Sequence, residues 1–211
     1  MKKITALLLA LLMALSLSLV GCGDSKKDKD DGDSKTPNTA EAVAKAYCEA
    51  YYNGNLEKAD SYALLTKEIE LKRDAKVNDM DFEEYLKDFY GVESMKEYWK
   101  QEEEGYKEYL SGKVKVDEVK DAEERTSKKV KDWKDDHEYY FDNYDLDIDK
   151  VEAVCDVTLK LKNSGDNNGK KTIYQVTMVE YDSNWKVWDV IYVGEDNDSA
   201  ETANISYSAH D

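Results

Sequence analysis

The residues best suited to acid–base chemistry in this sequence are Asp189 and two tyrosines. Asp189 falls within an alternating pattern that is typical of a β-strand. Its neighbours on the same predicted face are all apolar: Trp185, Val187, Ile191 and Val193. An aspartate in apolar surroundings at a pocket mouth could act as a general base, with Tyr140 or Tyr174 as the proton donor. The alternative, which we favour, is a structural carboxylate that accepts hydrogen bonds.

A second candidate base is His137, one of two histidines in the chain. On a predicted helix it shares a face with Val130, Trp133 and Tyr140, so a packed or rim histidine fits better than a catalytic one. The sequence lacks a Gly-x-Ser-x-Gly elbow, a phosphate-binding loop, an HExxH motif and a dinucleotide fingerprint. We therefore assign no catalytic residue and favour a non-catalytic role.

Cysteines and clustered aspartates are the remaining reactive or ligating groups. Cys48 and Cys155 both fall on predicted buried faces, where they would form either a disulfide or two free thiols. Without a CxxC motif or a cysteine–histidine cluster, zinc is not expected. Asp145, Asp147 and Asp149 resemble the start of a calcium loop, but Lys150 stands where that loop needs glycine. We predict no metal and no cofactor.

The composition narrows the choice of partners. The net charge of −17 disfavours binding to phosphate backbones and to anionic lipid surfaces, so nucleic acid is not expected as a partner. The chain has sixteen tyrosines against three phenylalanines. Tyrosine combines an apolar ring with a polar tip, which suits binding clefts and exposed faces.

Hydrophobic periodicity predicts helices in the first part of the folded region and strands in the last part. Helical spacing begins after Thr39 and recurs in segments up to Tyr140, the last of them starting near Val119. Alternation then predicts three strands, at 151–161, 173–181 and 185–193, joined by short turns. Helices followed by an antiparallel sheet of three or more strands make an α+β fold, with the helices packed on a curved sheet.

Both ends of this folded region resemble NTF2-like domains. Three segments show the resemblance: the helical run AEAVAKAYCEAYYNGNLEKA at 40–59, the strand run VEAVCDVTLKLK, and the strand pair containing Trp185-Lys186-Val187. The resemblance implies a cone, with a sheet wrapped around a helix and a pocket at its open end. Some such proteins are enzymes of ketosteroid-isomerase-like type, and many are binding or assembly modules. The predicted pocket residues are Asp189, Tyr140, Tyr174, Trp185 and His137.

The N-terminus resembles that of a bacterial lipoprotein. Two lysines precede an uncharged apolar run from Ile4 to Val20, as in a secretory signal peptide. The run ends Leu19-Val20-Gly21-Cys22, which resembles a lipobox. The resemblance implies that diacylglycerol is attached to the Cys22 thiol and that cleavage follows Gly21. Loss of Lys2 and Lys3 with the signal peptide would change the net charge from −17 to −19.

These patterns divide the chain into four parts. They are a signal peptide at 1–21, a lipidated cysteine with a charged flexible tether at 22–38, an NTF2-like domain at 39–194 and an acidic disordered tail at 195–211. The tether would span about 20–25 Å as a coil. We expect a lipid-anchored domain on the outer face of a bacterial cytoplasmic membrane, held away from the bilayer.

Three functions fit this arrangement. The leading hypothesis is a non-catalytic binding module for a small molecule, a peptide or an envelope protein. The second is a cone-pocket enzyme that uses Asp189 with a tyrosine. The third is an envelope assembly or interaction protein that uses an exposed aromatic face. The oligomeric state is left open by the sequence.

The Cys22→Ser substitution tests the predicted anchor. Two acyl chains hold a protein at a membrane almost permanently, so removing the acceptor thiol should release the protein or leave an unprocessed precursor. Membrane fractionation and the mass of the N-terminus give the readout. Wild-type processing and retention of the variant would contradict the prediction.

Overall fold

A computed structural model describes residues 38–165 and 171–196 of the chain. The predicted signal peptide, Cys22 and nearly all of the predicted tether lie outside the described residues, as does the chain from 197 onward. None of the helices within 38–165 and 171–196 is long and apolar enough to cross a membrane.

The described residues form six α-helices, one short 3₁₀ helix and four β-strands. In chain order they are α1 Ala40–Tyr52, α2 Leu56–Asp60, α3 Lys67–Val77, α4 Phe82–Tyr90, α5 Met95–Lys107, β1 Val114–Glu124, α6 Ser127–Asn143, a 3₁₀ turn at Ile148–Lys150, β2 Val151–Asn163, β3 Lys171–Tyr181 and β4 Asn184–Asp196. The strands pair in the order β1-β2-β3-β4, each antiparallel to its neighbour, in an open sheet. The predicted α+β fold is confirmed.

Four helices begin at hydroxyl side chains that cap the exposed backbone amides of the first turn. The hydroxyls are those of Thr39, Thr66, Ser94 and Thr126, each accepting a hydrogen bond from an amide three residues on. These caps replace partners that the first turn of a helix lacks. At the other end of α4, Gly91 adopts a left-handed conformation with φ of 69°, which lets the chain leave the helix without a steric penalty.

The space between α1 and one face of the sheet is filled. Its core residues are Ala40, Val43, Ala44 and Cys48 from α1, with Cys155, Val157, Leu159, Leu161, Val176, Met178 and Val187 from the strands. All are at most 5% exposed, so this face holds a packed core rather than a cavity. The predicted pocket inside a cone is therefore not present between α1 and the sheet.

Two smaller cores complete the described fold. On the opposite face of the sheet, Trp133 and Phe141 of α6 pack against Val154 and Val179. A third core joins α3, α4 and α5 through Leu71, Ala75, Tyr85, Leu86, Val92 and Tyr98. The three helices thus have a core of their own and form a helical module between α2 and β1.

The sequence-based boundary at Val119 was wrong. Residues 114–124 form the edge strand β1, whereas the helical pattern predicted the start of the last helix there. Val116, Val119 and Ala122 are spaced by three, which imitates helical periodicity. The spacing arises because β1 has two irregularities in its pairing with β2, each adding one residue to β1. Bulges of this kind break the alternation by which strands are recognised.

Cys48 and Cys155 are both buried, as predicted, and of the two alternatives the structure shows free thiols rather than a disulfide. Burial raises the pKa of the Cys48 thiol to about 12, so this thiol is protonated and unreactive at neutral pH.

The predicted end of the domain at residue 194 was too early. Glu195 and Asp196 end β4, and Asp196 forms an ion pair with the ammonium of Lys160.

The C-terminal turn of α1 fixes β1 through side chains that act as a strand partner. The Asn53 amide nitrogen donates to the Val114 carbonyl at 2.7 Å, and the Asn53 oxygen accepts from the Val114 amide at 2.9 Å. One turn earlier, Glu49 accepts from the Val116 amide at 3.0 Å. The outer edge of β1, which would otherwise be unpaired, is therefore tied to the helix.

The Asn53→Ala substitution should lower the free energy of unfolding by about 2 kcal/mol, because it leaves two partly buried backbone groups without partners. Urea denaturation of the variant measures this loss. Asn55→Ala is the matched control, since the Asn55 side chain makes no capping hydrogen bond, and it should change stability by less than about 0.5 kcal/mol. Equal losses in the two variants would contradict the assigned role of Asn53.

Candidate functional site

The site with the richest chemistry is an aromatic cleft beside the edge of β4. It consists of two adjoining depressions of 490 and 350 Å³. Both are lined by Tyr47, Tyr51, Ala63, Leu65 and Glu70. The larger also has Leu56, Ala59, Asp60, Lys67, Tyr98, Trp99 and Glu102, and the smaller has Tyr52, Val187, Trp188, Asp189 and Val190. We call these residues the tyrosine cleft.

Main-chain pairing fixes the wall of the cleft. The Leu64 amide donates to the Val187 carbonyl at 2.9 Å, and the Val187 amide donates to the Tyr62 carbonyl at the same distance. These bonds add residues 62–64 to the outer edge of β4 as a short parallel bridge. The bridge places Ala63 and Leu65 between the strand and the helical module, and so joins the sheet to α3 and α5 along one cleft.

Most aromatic rings of the cleft come from α1 and α5, and Trp188 adds one from β4. Tyr47 and Tyr51 are one helical turn apart and stack with ring centroids 5.9 Å apart. Tyr51 also meets the ring of Tyr106 edge-on at 5.8 Å. From the helical module, Tyr98 and Trp99 pack edge to face at 5.2 Å. The lining therefore offers both ring faces and phenolic hydroxyls to a ligand.

Asp60 is the most constrained carboxylate of the cleft. Its Oδ1 accepts the Lys67 backbone amide at 2.7 Å, at the start of α3. Burial nevertheless raises the pKa of Asp60, and the carboxylate of Glu70 adds to the rise, although the hydrogen bond and charge of Lys67 oppose it. The folded chain thus holds a carboxylate whose desolvation is not fully compensated, which is a common property of functional sites.

Lys67 is the cationic residue of the cleft, and it is already paired. Its ammonium lies 2.8 Å from Glu70. Burial alone would lower the pKa of Lys67, but the hydrogen bond and charge of Glu70 outweigh that effect and raise it. Burial raises the pKa of Tyr47 to about 12, with smaller contributions from Tyr51 and Cys48 and from the carboxylates of Asp60 and Asp189. The Tyr47 phenol is therefore neutral at physiological pH.

Tyr98 directs a polar atom into the cleft. The residue is only 6% exposed, and its hydroxyl has no hydrogen-bond partner among the described residues. Within those residues no buried side-chain polar atom lacks a partner, so the Tyr98 hydroxyl is at least partly accessible. Burial raises the pKa of Tyr98, and the nearby carboxylate of Glu102 raises it further. The phenol is thus a neutral donor that faces the larger depression.

Asp189 lies at the rim of the cleft, but not in the surroundings that its sequence suggested. Thr177 pairs with Asp189 and Met178 pairs with Val187, so Trp188 is an extra residue in β4. This bulge moves Asp189 off the apolar face that carries Val187. The Asp189 side chain is exposed, and its Oδ1 accepts the Val190 amide at 2.8 Å. The expectation of an apolar face around Asp189 was wrong.

Two of the other predicted pocket residues, His137 and Tyr140, lie against the bulged tryptophan. His137 stacks on Trp133 at 4.1 Å, and its Nδ1 lies 2.7 Å from the Trp133 carbonyl. Trp188 meets the rings of His137 at 5.2 Å and Tyr140 at 6.4 Å. His137 is therefore a packed residue of α6, and neither it nor Tyr140 lines the tyrosine cleft.

The remaining two predicted pocket residues belong to the sheet face that α1 covers. Trp185 packs against the filled core there, as does Tyr174. The Tyr174 ring contacts Tyr52 at 4.9 Å and Tyr192 at 5.6 Å. Burial and a hydrogen bond to Tyr174 raise the pKa of Tyr52. The structure thus separates the five predicted pocket residues, and within the described chain only Asp189 borders the cleft.

Sequence reasoning missed most residues of the tyrosine cleft. The excess of tyrosine was noticed, but the rings that matter come from α1 and from the helical module, which are far apart in the chain. Asp60 and Glu70 lie in segments whose helical pattern marks them as ordinary surface residues. The one available signal was the spacing of Tyr47 and Tyr51, which puts two phenols on one helix face.

Other surfaces of the described chain offer less specific chemistry. A depression of 710 Å³ lies between α1 and β1, but its lining contains no aromatic residue, and two of its polar side chains, Glu49 and Asn53, already bind the β1 backbone. Within the described residues no group of histidine, cysteine, aspartate or glutamate side chains is arranged to hold a metal ion.

Comparison of the chain with protein-family models, with curated proteins and with solved structures finds no match. The NTF2-like and lipoprotein resemblances therefore stay predictions from the sequence, and the assignment of function depends on the geometry of the described residues.

The Asp60→Asn substitution tests the desolvated carboxylate. Because the folded-state pKa of Asp60 is raised, the folded chain binds more protons than the unfolded chain between the unfolded pKa of 3.8 and the raised folded pKa, and stability falls as the pH rises through that interval. Asparagine keeps the acceptor for the Lys67 amide and removes the charge. We expect a melting temperature a few degrees above wild type at pH 7 and little difference at pH 3.

Calorimetry at the two pH values gives this comparison. Asp88→Asn is the matched control, because Asp88 is exposed on α4 and makes no hydrogen bond or ion pair within the described residues. It should leave the melting temperature unchanged at both pH values. A lower melting temperature for Asp60→Asn at pH 7 would show that the carboxylate is stabilising and would contradict the account.

Proposed function

We propose that this protein is a non-catalytic binding module, anchored by a lipid on Cys22 to the outer face of a bacterial cytoplasmic membrane, and that the tyrosine cleft receives its ligand. The observation that carries the proposal is the lining of the cleft. Two stacked tyrosines, a tryptophan and an unpartnered phenol surround a partly desolvated carboxylate. Pockets that combine ring faces with a few polar groups are typical of ligand-binding sites.

The same geometry gives less support to the enzyme hypothesis. A general base must lie within hydrogen-bond reach of the proton that it removes and beside a donor that completes the transfer. Asp189 is exposed on the strand edge, and the two tyrosines proposed as its partners, Tyr140 and Tyr174, lie outside the lining of the cleft. The cone-pocket enzyme was proposed on Asp189 with one of these tyrosines in a shared pocket, and the described residues do not form that arrangement.

The proposed anchor and tether agree with a binding role. A domain held about 20–25 Å from a bilayer by a flexible chain can reach diffusing molecules near the membrane without lying on the lipid surface. The net charge of −17 favours this separation, because anionic headgroups repel the domain. The proposed ligand is a small molecule or a peptide segment, since the depressions of 490 and 350 Å³ are of that size.

A thermal-shift panel of small molecules and short peptides tests this function on the full chain in detergent micelles. A ligand of the cleft should raise the melting temperature of the wild type and lose its effect in Tyr51→Ala, because Tyr51 lines both depressions. Tyr139→Ala is the matched control, since Tyr139 is 72% exposed on α6 and away from the cleft.

The proposal is supported by a ligand that stabilises the wild type and Tyr139→Ala but not Tyr51→Ala. It is contradicted if the panel gives no stabilising ligand, or if every stabilising ligand acts equally on both variants. Each shift is measured against the unliganded melting temperature of the same variant, so a loss of intrinsic stability in Tyr51→Ala does not affect the comparison.

A further inference from the structure

The charges around the tyrosine cleft are strongly one-sided. Its lining contains four carboxylates, those of Asp60, Glu70, Glu102 and Asp189. Among the described residues that line it, the single cationic side chain is Lys67, which is held by Glu70 at 2.8 Å. Four negative groups and one positive group give the lining a formal charge of −3. A concave surface of one sign concentrates the field and attracts ligands of the opposite sign.

A nearby lysine does not neutralise this charge. Lys186 lies close enough to interact with Asp60, but its ammonium donates to the Ser61 carbonyl at 2.9 Å and it does not line either depression. Burial lowers the pKa of Lys186, and the charge of Asp60 opposes that fall. Asp60 thus shares both neighbouring lysines, Lys67 with Glu70 and Lys186 with the Ser61 carbonyl, and a bound cation would add to their charge.

The rings of the cleft are also suited to a cation. Tyr47, Tyr51, Tyr98 and Trp99 supply π faces, and the negative face of an aromatic ring attracts an ammonium group. Burial raises the pKa of the Tyr47 and Tyr98 phenols, so both stay protonated, and their oxygens can accept hydrogen bonds from a cation. The accessible Tyr98 hydroxyl, without a partner among the described residues, can accept a hydrogen bond from a bound ammonium.

The positions of the carboxylates indicate the length of the ligand. Asp189 lines only the smaller depression, Asp60 and Glu102 line only the larger, and Glu70 lines both. Between these ends the wall is made of ring faces together with Ala63 and Leu65, which suit methylene groups. A compact quaternary ammonium would meet one end alone, whereas an extended chain with separated ammonium groups would meet both.

We propose that the tyrosine cleft binds a linear polyamine, a chain of methylene groups that carries two or more ammonium ions. The inference rests on the proposed function and names its ligand class. The ammonium groups would lie against the separated carboxylates, and the methylene groups would cover the tyrosine rings. Lys67 would keep its pairing with Glu70 and limit how many ammonium groups the larger depression accepts.

Isothermal titration of the full chain in detergent micelles with spermidine tests this inference, and 1,8-octanediol is the neutral probe of similar length. Glu102→Gln should weaken spermidine binding about tenfold, because it removes a carboxylate from the larger depression. Glu104→Gln is the matched control on the same helix, since Glu104 does not line the cleft, and it should change affinity by less than about twofold.

The opposite end of the cleft provides a second pair of variants. Asp189→Asn should weaken spermidine binding, whereas Asp88→Asn, which makes the same charge change on α4, should leave it unchanged. Circular dichroism verifies that all variants are folded. The proposal is overturned if spermidine does not bind, if the diol binds equally well, or if the control variants lose as much affinity as the cleft variants.

Failure of the ligand class is distinguishable from failure of the proposed function. If spermidine does not bind but another molecule shows stabilisation that depends on Tyr51, the polyamine inference is wrong and the binding function stands. If neither spermidine nor any panel molecule requires Tyr51, both proposals are wrong.

Discussion

The packing of α1 against the sheet is the constraint on which the rest of the structure depends. Small residues on the inner face of α1, including Ala44 and Cys48, let the helix approach the strands closely. Val157 and Met178 fill the remaining space without exposure. Close packing of this kind contributes most of the stabilisation that a domain gains from burial, and it leaves no volume for a ligand. The face of the sheet that α1 covers is therefore structural, and any binding surface has to lie elsewhere.

The cleft forms where that packing ends. Tyr47 and Tyr52 lie half-buried at the border of this core, and Tyr51 is exposed beside them. Residues 62–64 then pair with the edge of β4 instead of continuing as a helix. The helical module then faces this edge through Tyr98 and Trp99. The result is a concave surface made by α1 and the β4 edge, which share one core, and by the helical module, which has a core of its own. The desolvated Asp60 carboxylate lowers stability rather than adding to it, which is a common cost at sites selected for binding.

The sequence predicted the fold class well and the site poorly, for one physical reason. Hydrophobic periodicity reports which face of an element is buried, so α1 and the strands β2, β3 and β4 could be located from it. A bulge adds a residue to a strand and so breaks the alternation on which the prediction relied. The two bulges in β1 made this strand resemble a helix in the sequence. The bulge at Trp188 moved Asp189 off the apolar face where alternation had placed it. The cleft depends on contacts between distant segments, such as Tyr51 with Tyr106, for which a single sequence carries no signal.

The central claim, that ligand binds in the tyrosine cleft, is tested most directly by amide hydrogen exchange of the full chain with and without saturating spermidine. Amides that become less accessible on binding exchange more slowly. The account predicts added protection in peptides that cover 47–52, 56–70, 98–102 and 187–190, the four segments that line the cleft. No added protection, or protection confined to the depression around residues 113–116 between α1 and β1, would contradict it.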